Sequence, residues 1–274
     1  MNATGLVEHP LLAEPPRLSL WRPMTDNDGS SALDSRFIRS GFFRLTPQRV
    51  DITRDGESTI VSIDYATAWG DTIEHRQIVT QVAHGDYVFD ERVRLPEGTR
   101  DGLSVGIGFR LVDGFERAEW VGLGPWENYP DRRKSALFGR WNSSVDDLAV
   151  RYVVPQGNGA RGDVDHAVLT GPAGTAVVDS AHPLHLTVSR YSADQLEQAA
   201  HWWELPSSTA TYVNLDIAQR GVGTALLGPD TRPPFRLSGE VYQWKWRLAL
   251  VTHAGAGQKD GRSCSSGWVR RFPG

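Results

Sequence analysis

Trp120-Val121-Gly122-Leu123-Gly124-Pro125-Trp126-Glu127-Asn128-Tyr129-Pro130-Asp131-Arg132 is the stretch of this sequence that says most about its fold. An apolar, glycine-rich run ends here in a polar segment. Asparagine and proline favour tight turns, and aspartate readily pairs with arginine. We therefore interpret residues 127–132 as a tight turn in which Asp131 pairs with an arginine. The less favoured alternative is that these residues line a sugar site.

Segments with period-two alternation of apolar and polar residues flank this stretch on both sides, as is typical of β-strands. They are residues 59–65, 77–82, 87–95, 104–111, 176–179, 184–189, 211–216 and 241–248. The glycines inside 104–111 indicate a bend or a close neighbour. The 28 glycines and 16 prolines of the chain supply the turns that a meandering sheet protein requires.

One segment predicts a helix: residues 192–201 begin with Ser192, a good N-cap, and continue with helix-forming residues. The sequence therefore predicts an all-β fold of stacked antiparallel sheets with at most one or two short helices. We expect residues 1–253 to form one domain. Residues 254–274, rich in Gly, Ser, Arg and Lys, are expected to be a disordered tail.

Composition excludes several classes of function. The net charge of −4, with signs mixed along the chain, argues against a nucleic-acid partner. There is no apolar run of membrane-spanning length, and no basic segment followed by an apolar stretch at the N-terminus. The single cysteine, Cys264, permits neither an intrachain disulfide nor a cysteine metal site. We expect a cytoplasmic protein with no nucleic-acid or membrane partner.

Ten tryptophans are the unusual feature of the composition. Tryptophan fills β cores, stacks on sugars and anchors interfaces. Trp244 and Trp246 share one strand face, which favours core packing or a subunit contact. His201-Trp202-Trp203 could form a carbohydrate platform, but we favour a packed helix end.

Four segments, taken in order, resemble the motifs of one enzyme family. They are Leu20-Trp21-Arg22-Pro23-Met24-Thr25-Asp26-Asn27-Asp28; residues 120–132; Ser189-Arg190-Tyr191-Ser192 with Gln195-Leu196 and His201; and Val213-Asn214-Leu215-Asp216 with Gly221-Val222-Gly223-Thr224. Together they resemble the C-terminal domain, or small chain, of family 2 β-galactosidases. The motif residues, expected to be mainly structural, are Trp21, Asp26, Asn27, Asp28, Glu127, Asn128, Tyr129, Asp131, Arg132, Arg190 and Tyr191.

The resemblance implies a galactose mutarotase-like super-sandwich and the retaining hydrolysis of terminal β-D-galactosides such as lactose. Retention needs two carboxyl groups roughly 5–5.5 Å apart. In the family both glutamates lie on a barrel domain or separate large chain. We therefore assign no catalytic residue to this chain and expect it to be inactive alone, within an oligomeric holoenzyme. The family's Mg²⁺ and Na⁺ are expected on another domain, so no cofactor or metal is assigned here.

Asp26, Asn27 and Asp28 could bind a cation or cap backbone amides. We favour capping, because adjacent side chains point in alternating directions along an extended segment.

Three positions depart from the family pattern. Gly157 replaces a glutamate and Asp165 replaces an arginine, which suggests the loss of one polar contact. After Gly223, many members carry an aromatic residue that reaches the sugar site. Here Leu227 falls near that position, so weaker stacking on glucose is expected. The resemblance implies that the residues of this loop that line the substrate pocket are Leu226, Leu227, Gly228 and Asp230.

Two other functions stay open. A stand-alone aldose 1-epimerase (mutarotase) would need a histidine acid and a carboxylate base in one cleft, for which His166, His182 and His185 are the candidates. A non-catalytic carbohydrate-binding or assembly module is the other.

Overall fold

The computed structural model describes residues 5–30, 41–99, 102–223, 230–237 and 239–253. Twelve strands cover most of these residues: β1 Leu12–Ser19, β2 Thr46–Asp55, β3 Ser58–Ala66, β4 Thr72–Ala83, β5 Asp86–Arg94, β6 Ser104–Leu111, β7 Arg117–Gly124, β8 Leu137–Ser144, β9 Arg161–Gly171, β10 Gly174–Ser189, β11 Thr211–Gln219 and β12 Val241–Thr252. The predicted tail, 254–274, lies outside the described residues.

Helices within these ranges are short. They are α1 Asp26–Ser30, α2 Val145–Leu148 and α3 Ala193–Gln198, with 3-10 turns at Trp202–Glu204 and Pro233–Phe235. The predicted helix at 192–201 is confirmed in its first half. Ser192 and Gln195 form a capping box, each side chain bonding the other's backbone amide.

All strand pairs are antiparallel and belong to one sheet. The main path runs β1-β6-β11-β10-β12-β5-β4-β3-β2, and β9 links β10 to β7, which pairs with β8. Strand β10 is the junction of this path. One of its edges pairs with β9, while the other changes partner from β12 to β11 along its 16 residues. The predicted all-β antiparallel fold is confirmed.

The hydrophobic core contains the two tryptophans of β12. Trp244 and Trp246 are fully buried, and the Trp246 ring stacks on Phe89 with centroids 4.2 Å apart. The core-packing interpretation of both is confirmed.

One carboxylate, Glu91 on β5, lies inside this core. Glu91 Oε1 accepts from Gln77 Nε2 (2.8 Å) and Trp246 Nε1 (3.1 Å), and Oε2 lies 2.9 Å from His75 Nε2. A buried polar group is tolerated only when it has hydrogen-bond partners of this kind.

A polar sheet face lies opposite the core on β6, β10 and β11. Val213 and Leu215 point into the core, so Asn214 and Asp216 point to the other face. In register beside Asp216 lie Gly106 on β6 and His185 on β10; beside Asn214 lie Gly108 and Thr187. The glycines of β6 make room for these side chains, since a Cβ on Gly106 would lie 2.4 Å from Asp216 Oδ1. The expected close neighbour of these glycines is confirmed.

Candidate functional site

The turn that follows β7 is held by side chains that bond to the backbone. Glu127 Oε2 accepts from the amide of Gly159 (2.8 Å), and Glu127 Oε1 accepts from the Tyr152 hydroxyl (2.5 Å). Asn128 Oδ1 accepts from the amide of Gly162 (2.9 Å). The neighbouring segment 159–162 is thereby fixed against the turn.

Tyr129 and Arg132 close the turn through their backbones, with Arg132 N donating to Tyr129 O at 2.8 Å. The Tyr129 ring is buried, and burial, reinforced by Glu127, raises the pKa of its phenol. Arg132 is exposed beside Tyr152. The turn geometry expected from the sequence is present.

Asp131 has a different partner from the one predicted. Its Oδ1 accepts from the amide of Val222 (3.0 Å) and its Oδ2 from the amide of Gly223 (2.7 Å). The predicted pairing of Asp131 with an arginine is therefore wrong. The amides of two adjacent residues offer two hydrogen-bond donors to one carboxylate. The residue types in the sequence do not reveal such a main-chain partner.

Asn27 reaches the same place from α1. Its Nδ2 donates to Val222 O at 3.1 Å. Gly223 has φ +81°, and a Cβ there would lie 1.6 Å from Asn27 Nδ2. Only glycine fits this backbone and this neighbour together.

The chain that returns at Asp230 is fixed beside the same point. Thr231 Oγ1 donates to Gly221 O at 3.0 Å. Asp230 accepts from Arg220 (2.6 Å) and forms an ion pair with Arg236 (3.0 Å). Burial alone would raise the pKa of Asp230, but the two arginines lower it below its usual value.

Residues 221–223 and 230–231, with the side chains of Asn27 and Asp131, are called the loop base below. The predicted pocket residues Leu226, Leu227 and Gly228 lie outside the described residues. Asp230, the fourth of that set, is in the loop base.

The three polar residues of α1 point to three different partners. Asp26 exchanges hydrogen bonds with Gln156 (3.3 and 3.4 Å), and Asn27 contacts Val222. Asp28 pairs with Arg22 at 2.8 Å and accepts from the amide of Thr25 at 2.8 Å. The three side chains therefore do not converge on one cation. In the described part of the chain no group of three or more His, Cys, Asp or Glu side chains could hold a metal.

Arg22 and Asp28 form a buried ion pair. Burial by itself would raise the pKa of Asp28, but Arg22 and Thr25 hold it below its usual range. Trp21, next to this pair, packs edge-on against Phe43 with centroids 6.3 Å apart.

Arg190 ties three segments together. Its Nη1 donates to Phe115 O (2.8 Å) and Thr211 Oγ1 (3.1 Å), and its Nε to Asp146 (2.9 Å). Tyr191, its neighbour, lines a cavity on the polar sheet face.

A cavity of about 250 Å³ lies against the polar sheet face. Its lining includes Trp21, Arg22, Tyr191, Asp216 and Gln219. Asp216 is 1% exposed; its Oδ2 accepts from Gln219 Nε2 at 3.3 Å, and its Oδ1 has no hydrogen-bond partner. Burial raises the pKa of Asp216 to about 8.

Asp216 and Gln219 were not predicted from the sequence to line a cavity. One feature of the sequence could have indicated a polar sheet face. Asn214 and Asp216 are polar residues two positions apart in a β-strand, so they point to the same face, and another strand has glycines with the same spacing, Gly106 and Gly108.

The three histidine candidates have separate environments. His166 Nδ1 lies 2.7 Å from Asp179 Oδ1, and His182 is exposed. His185 lies in register beside Asp216, its Nδ1 has no hydrogen-bond partner, and burial lowers its pKa to about 4.

The expectation that His201-Trp202-Trp203 is a packed helix end is wrong. Trp202 and Trp203 are 39% and 59% exposed, and His201 stacks on Trp203 with centroids 4.4 Å apart. The helix ends before them, so no apolar periodicity brings them inward.

Among the positions that differ from the family pattern, Gly157 lies against the first motif segment, residues 20–28. A Cβ at Gly157 would be 2.5 Å from Pro23 O and 3.4 Å from Arg22 Nη1. Asp165 is exposed on β9. The lost polar contact between these two positions stays a prediction.

No helix within the described ranges has the length and apolar character needed to span a membrane.

The comparisons with known proteins are consistent with one another. Residues 2–248 match the family model described as β-galactosidase small chain. Among curated proteins, a β-galactosidase of Vibrio cholerae serotype O1 is 32% identical over 90% of this chain and 26% of its own length. A β-galactosidase 2 of Enterobacter cloacae is 36% identical over 61% of this chain and 16% of its own length. The chain thus spans about a quarter or less of these relatives.

Solved structures give more distant similarities. An aldose epimerase homologue of Caenorhabditis elegans has a TM-score of 0.43 at 10% identity and covers 75% of this chain and 69% of its own. A putative aldose 1-epimerase of Escherichia coli K12 has a TM-score of 0.39 at 12% identity, over 78% and 71%. The match to the family model, which covers nearly the whole described chain, shows that this protein belongs to the β-galactosidase small chain family.

Proposed function

We propose that this chain is part of an enzyme that hydrolyses terminal β-D-galactosides such as lactose. In this proposal the chain supplies one wall of the galactoside pocket and contacts for assembly. The two catalytic glutamates lie on a barrel domain or large chain. The family match supports this, as do the relatives named β-galactosidase, whose length exceeds this chain about fourfold or more.

The observation that carries the proposal is the loop base. Side chains from α1 and from the turn after β7 fix residues 221–223, and Thr231 and Asp230 fix the returning chain beside them. Gly223 and Asp230 are therefore both held in the loop base. We propose that Leu226, Leu227 and Gly228 contact the galactoside, with Asp230 as an anchor of this loop.

The partner is proposed to dock on exposed apolar side chains. Val153, Trp202 and Trp203 are 63%, 39% and 59% exposed, and the amide of Trp202 donates to Val153 O at 3.1 Å, which makes them neighbours. Leu137 and Phe138 are exposed on β8, which pairs only with β7 among the described strands. Exposed apolar groups on an unpaired edge are typical of protein interfaces.

The remaining expectations complete the proposal. Residues 1–253 form one domain, supported by a single sheet that extends from residue 12 to 252. The other motif residues have structural roles, supported by their bonds to backbone and to each other. The holoenzyme is an oligomer in the cytoplasm, without nucleic-acid or membrane partners. It binds its Mg²⁺ and Na⁺ on another domain.

The proposal is tested by complementation. The purified chain and a large chain from the Vibrio cholerae relative, lacking the matched segment, are each assayed with a chromogenic β-galactoside, then mixed. The expected result is no turnover by either alone and turnover by the mixture. Turnover by this chain alone that Asp216→Asn or Glu14→Gln abolishes would overturn the proposal, because the catalytic carboxylates would then lie here.

A matched pair of variants tests the loop base within the same assay. Asp131→Asn removes one acceptor from the Val222 and Gly223 amides, whereas Asp55→Asn changes an exposed aspartate on β2. We expect Asp131→Asn to lower kcat/KM of the mixture on the order of 10–100-fold, since a misplaced pocket wall disrupts substrate positioning. Asp55→Asn is expected to complement as the wild type does. Equal activity of the two variants would contradict a role of the loop base in the pocket.

A further inference from the structure

Three strands of the sheet have an unpaired edge among the described residues: β1, β2 and β8. The β1 edge carries Pro15 and Pro16, which have no N–H, and its ladder with β6 is interrupted twice. Prolines and bulges of this kind protect an edge strand from pairing with other chains. Strand β2 has only Pro47, and its ladder with β3 is interrupted once, between Pro47 and Arg49. From Arg49 onwards the edge of β2 is therefore open to another strand.

Strand β2 is also long and exposed. It has ten residues, against about five or six in a typical strand, and all ten are exposed. Val50 and Ile52 point to one face, where they lie beside Ile63 and Val61 of β3 and line an apolar groove. Their side chains are 49% and 38% exposed. A long edge of this kind offers main-chain N–H and C=O groups, with apolar side chains beside them, to another chain.

The charges of β2 are complementary to those of a second copy of the same strand. The uninterrupted ladder with β3 runs from Arg49 to Asp55, and Ile52 is its midpoint. In an antiparallel pair with a two-fold axis at Ile52, Arg49 of each copy lies opposite Asp55 of the other. Arg49 already pairs with Asp51 of its own chain at 2.7 Å, so it would lie between two carboxylates. No pair in this register brings two like charges opposite each other.

The neighbouring registers are less favourable. An axis at Asp51 places that carboxylate opposite its own copy, and an axis at Thr53 places two aspartates opposite each other. Like charges directly opposite each other destabilise a strand pair. An axis at Val50 brings Pro47 and the interruption into the ladder. Only the axis at Ile52 avoids both problems.

We propose that β2 pairs antiparallel with β2 of a second copy of this chain, about a two-fold axis at Ile52, so that the two sheets become continuous. A contact of this kind uses the same edge of both copies and therefore closes at two chains. The contact is small, and we expect a Kd on the order of 10–100 µM. The proposal goes beyond the proposed function, because it requires neither a substrate nor the large chain.

The test is sedimentation velocity of the full chain from about 1 µM to about 500 µM, a range that includes the expected Kd. We expect a monomer at the lowest concentration and mainly a dimer at the highest. Ile52→Lys places two ammonium groups at the axis and should raise the Kd at least about tenfold. Arg92→Asp, at an exposed position on β5, is the control and should leave the Kd unchanged, because β5 has a paired strand on both sides.

Two charge reversals test the register. Arg49→Asp alone places two carboxylates opposite each other at both ends of the ladder, and Asp55→Arg alone places two guanidinium groups there. Each variant should raise the Kd at least about tenfold, because two attractive pairs become repulsive. An equimolar mixture of the two variants should dimerise as the wild type does, since every Asp then faces an Arg in the other copy. An effect of either substitution on its own chain could not be rescued in this way.

Three results would overturn the proposal. The first is a wild-type chain that stays monomeric at about 500 µM, several times the expected Kd. The second is a dimer that neither Ile52→Lys nor the single charge reversals weaken, which would place the contact on another surface. The third is a mixture of Arg49→Asp and Asp55→Arg that associates no better than either variant alone. None of these results depends on turnover, so the outcome is distinguishable from that of the complementation assay.

Discussion

Gly223→Ala is the substitution whose cost the structure defines best. Gly223 has φ +81°, in the left-handed region, and a Cβ there would lie 1.6 Å from Asn27 Nδ2. That nitrogen donates to Val222 O at 3.1 Å. The new methyl group therefore imposes backbone strain and also displaces the Asn27 side chain.

The two costs can be given separately. The left-handed conformation costs an alanine about 1–2 kcal/mol. Displacing Asn27 leaves the buried carbonyl of Val222 without its donor, which costs about 1–3 kcal/mol more. We expect Gly223→Ala to lower the free energy of unfolding by about 2–5 kcal/mol. Gly98→Ala is the control, because Gly98 has φ +77° and no atom within 4 Å of its Cβ position, so it should show the strain alone.

Urea unfolding measures the strain and the clash separately. The proteins compared are Gly223→Ala and Gly98→Ala, each alone and each combined with Asn27→Ala. If the clash with Asn27 is real, Gly223→Ala costs no more than Gly98→Ala once Asn27 is shortened, because the clash term vanishes from the double-mutant cycle. Equal costs for Gly223→Ala and Gly98→Ala in the wild-type background would refute the reasoning.

Three further predictions concern stability. Glu91→Leu leaves three buried side chains without a partner and should lower the free energy of unfolding in urea by about 2–5 kcal/mol. The control Glu97→Leu, in an exposed turn, should change it by less than about 0.5 kcal/mol. Similar costs for the two variants would contradict the buried network. The pKa of Asp216 is raised to about 8 in the folded state, whereas an unfolded aspartate titrates near a pKa of about 3.9. Between these two pH values the folded state keeps a proton that the unfolded state releases. The free energy of unfolding therefore falls as pH rises through this range, by at most about 1.4 kcal/mol per pH unit. Asp216→Asn should therefore gain stability relative to the wild type from pH 5 to pH 8, and a gain independent of pH would count against the raised pKa. Arg247→Met leaves two partly buried carboxylates without their cation and should cost about 1–3 kcal/mol in thermal unfolding, and an unchanged Tm would show that these ion pairs contribute nothing.

Five of the twelve strands (β1, β2, β7, β8 and β9) were not among the predicted segments, and for β2 and β8 the reason is the lack of a buried face. All ten residues of β2 are exposed, so no apolar face marks it in the sequence. Strand β8 likewise has no fully buried residue. Residues 176–179 and 184–189 were predicted as two strands but belong to β10, which continues through Pro183 where its edge passes from β12 to β11. The alternation of apolar and polar residues in a sequence does not show where one strand exchanges one neighbouring strand for another.

Two side chains of the loop base belong to motifs that the sequence revealed, but their contacts could not be predicted. The motifs identified Asp131 and Asn27, yet their partners are main-chain groups of Val222 and Gly223, about ninety and two hundred residues away in sequence. Main-chain donors and acceptors exist at every position, so residue types cannot identify such a pairing. The burial of Asp216 was not predicted, because its neighbours on the adjacent strands are known only once the strand register is known.

Three of the four motif segments meet at the loop base, and this explains why they occur together. Residues 221–223 lie beyond the end of β11, where no ladder satisfies their backbone groups, yet all three are buried. Every buried amide and carbonyl needs a partner. Asp131 from the turn after β7 serves two amides, Asn27 from α1 serves one carbonyl, and Thr231 serves another. Side chains from distant segments thus replace the missing ladder, so a change in any one of these segments should weaken the same structural element.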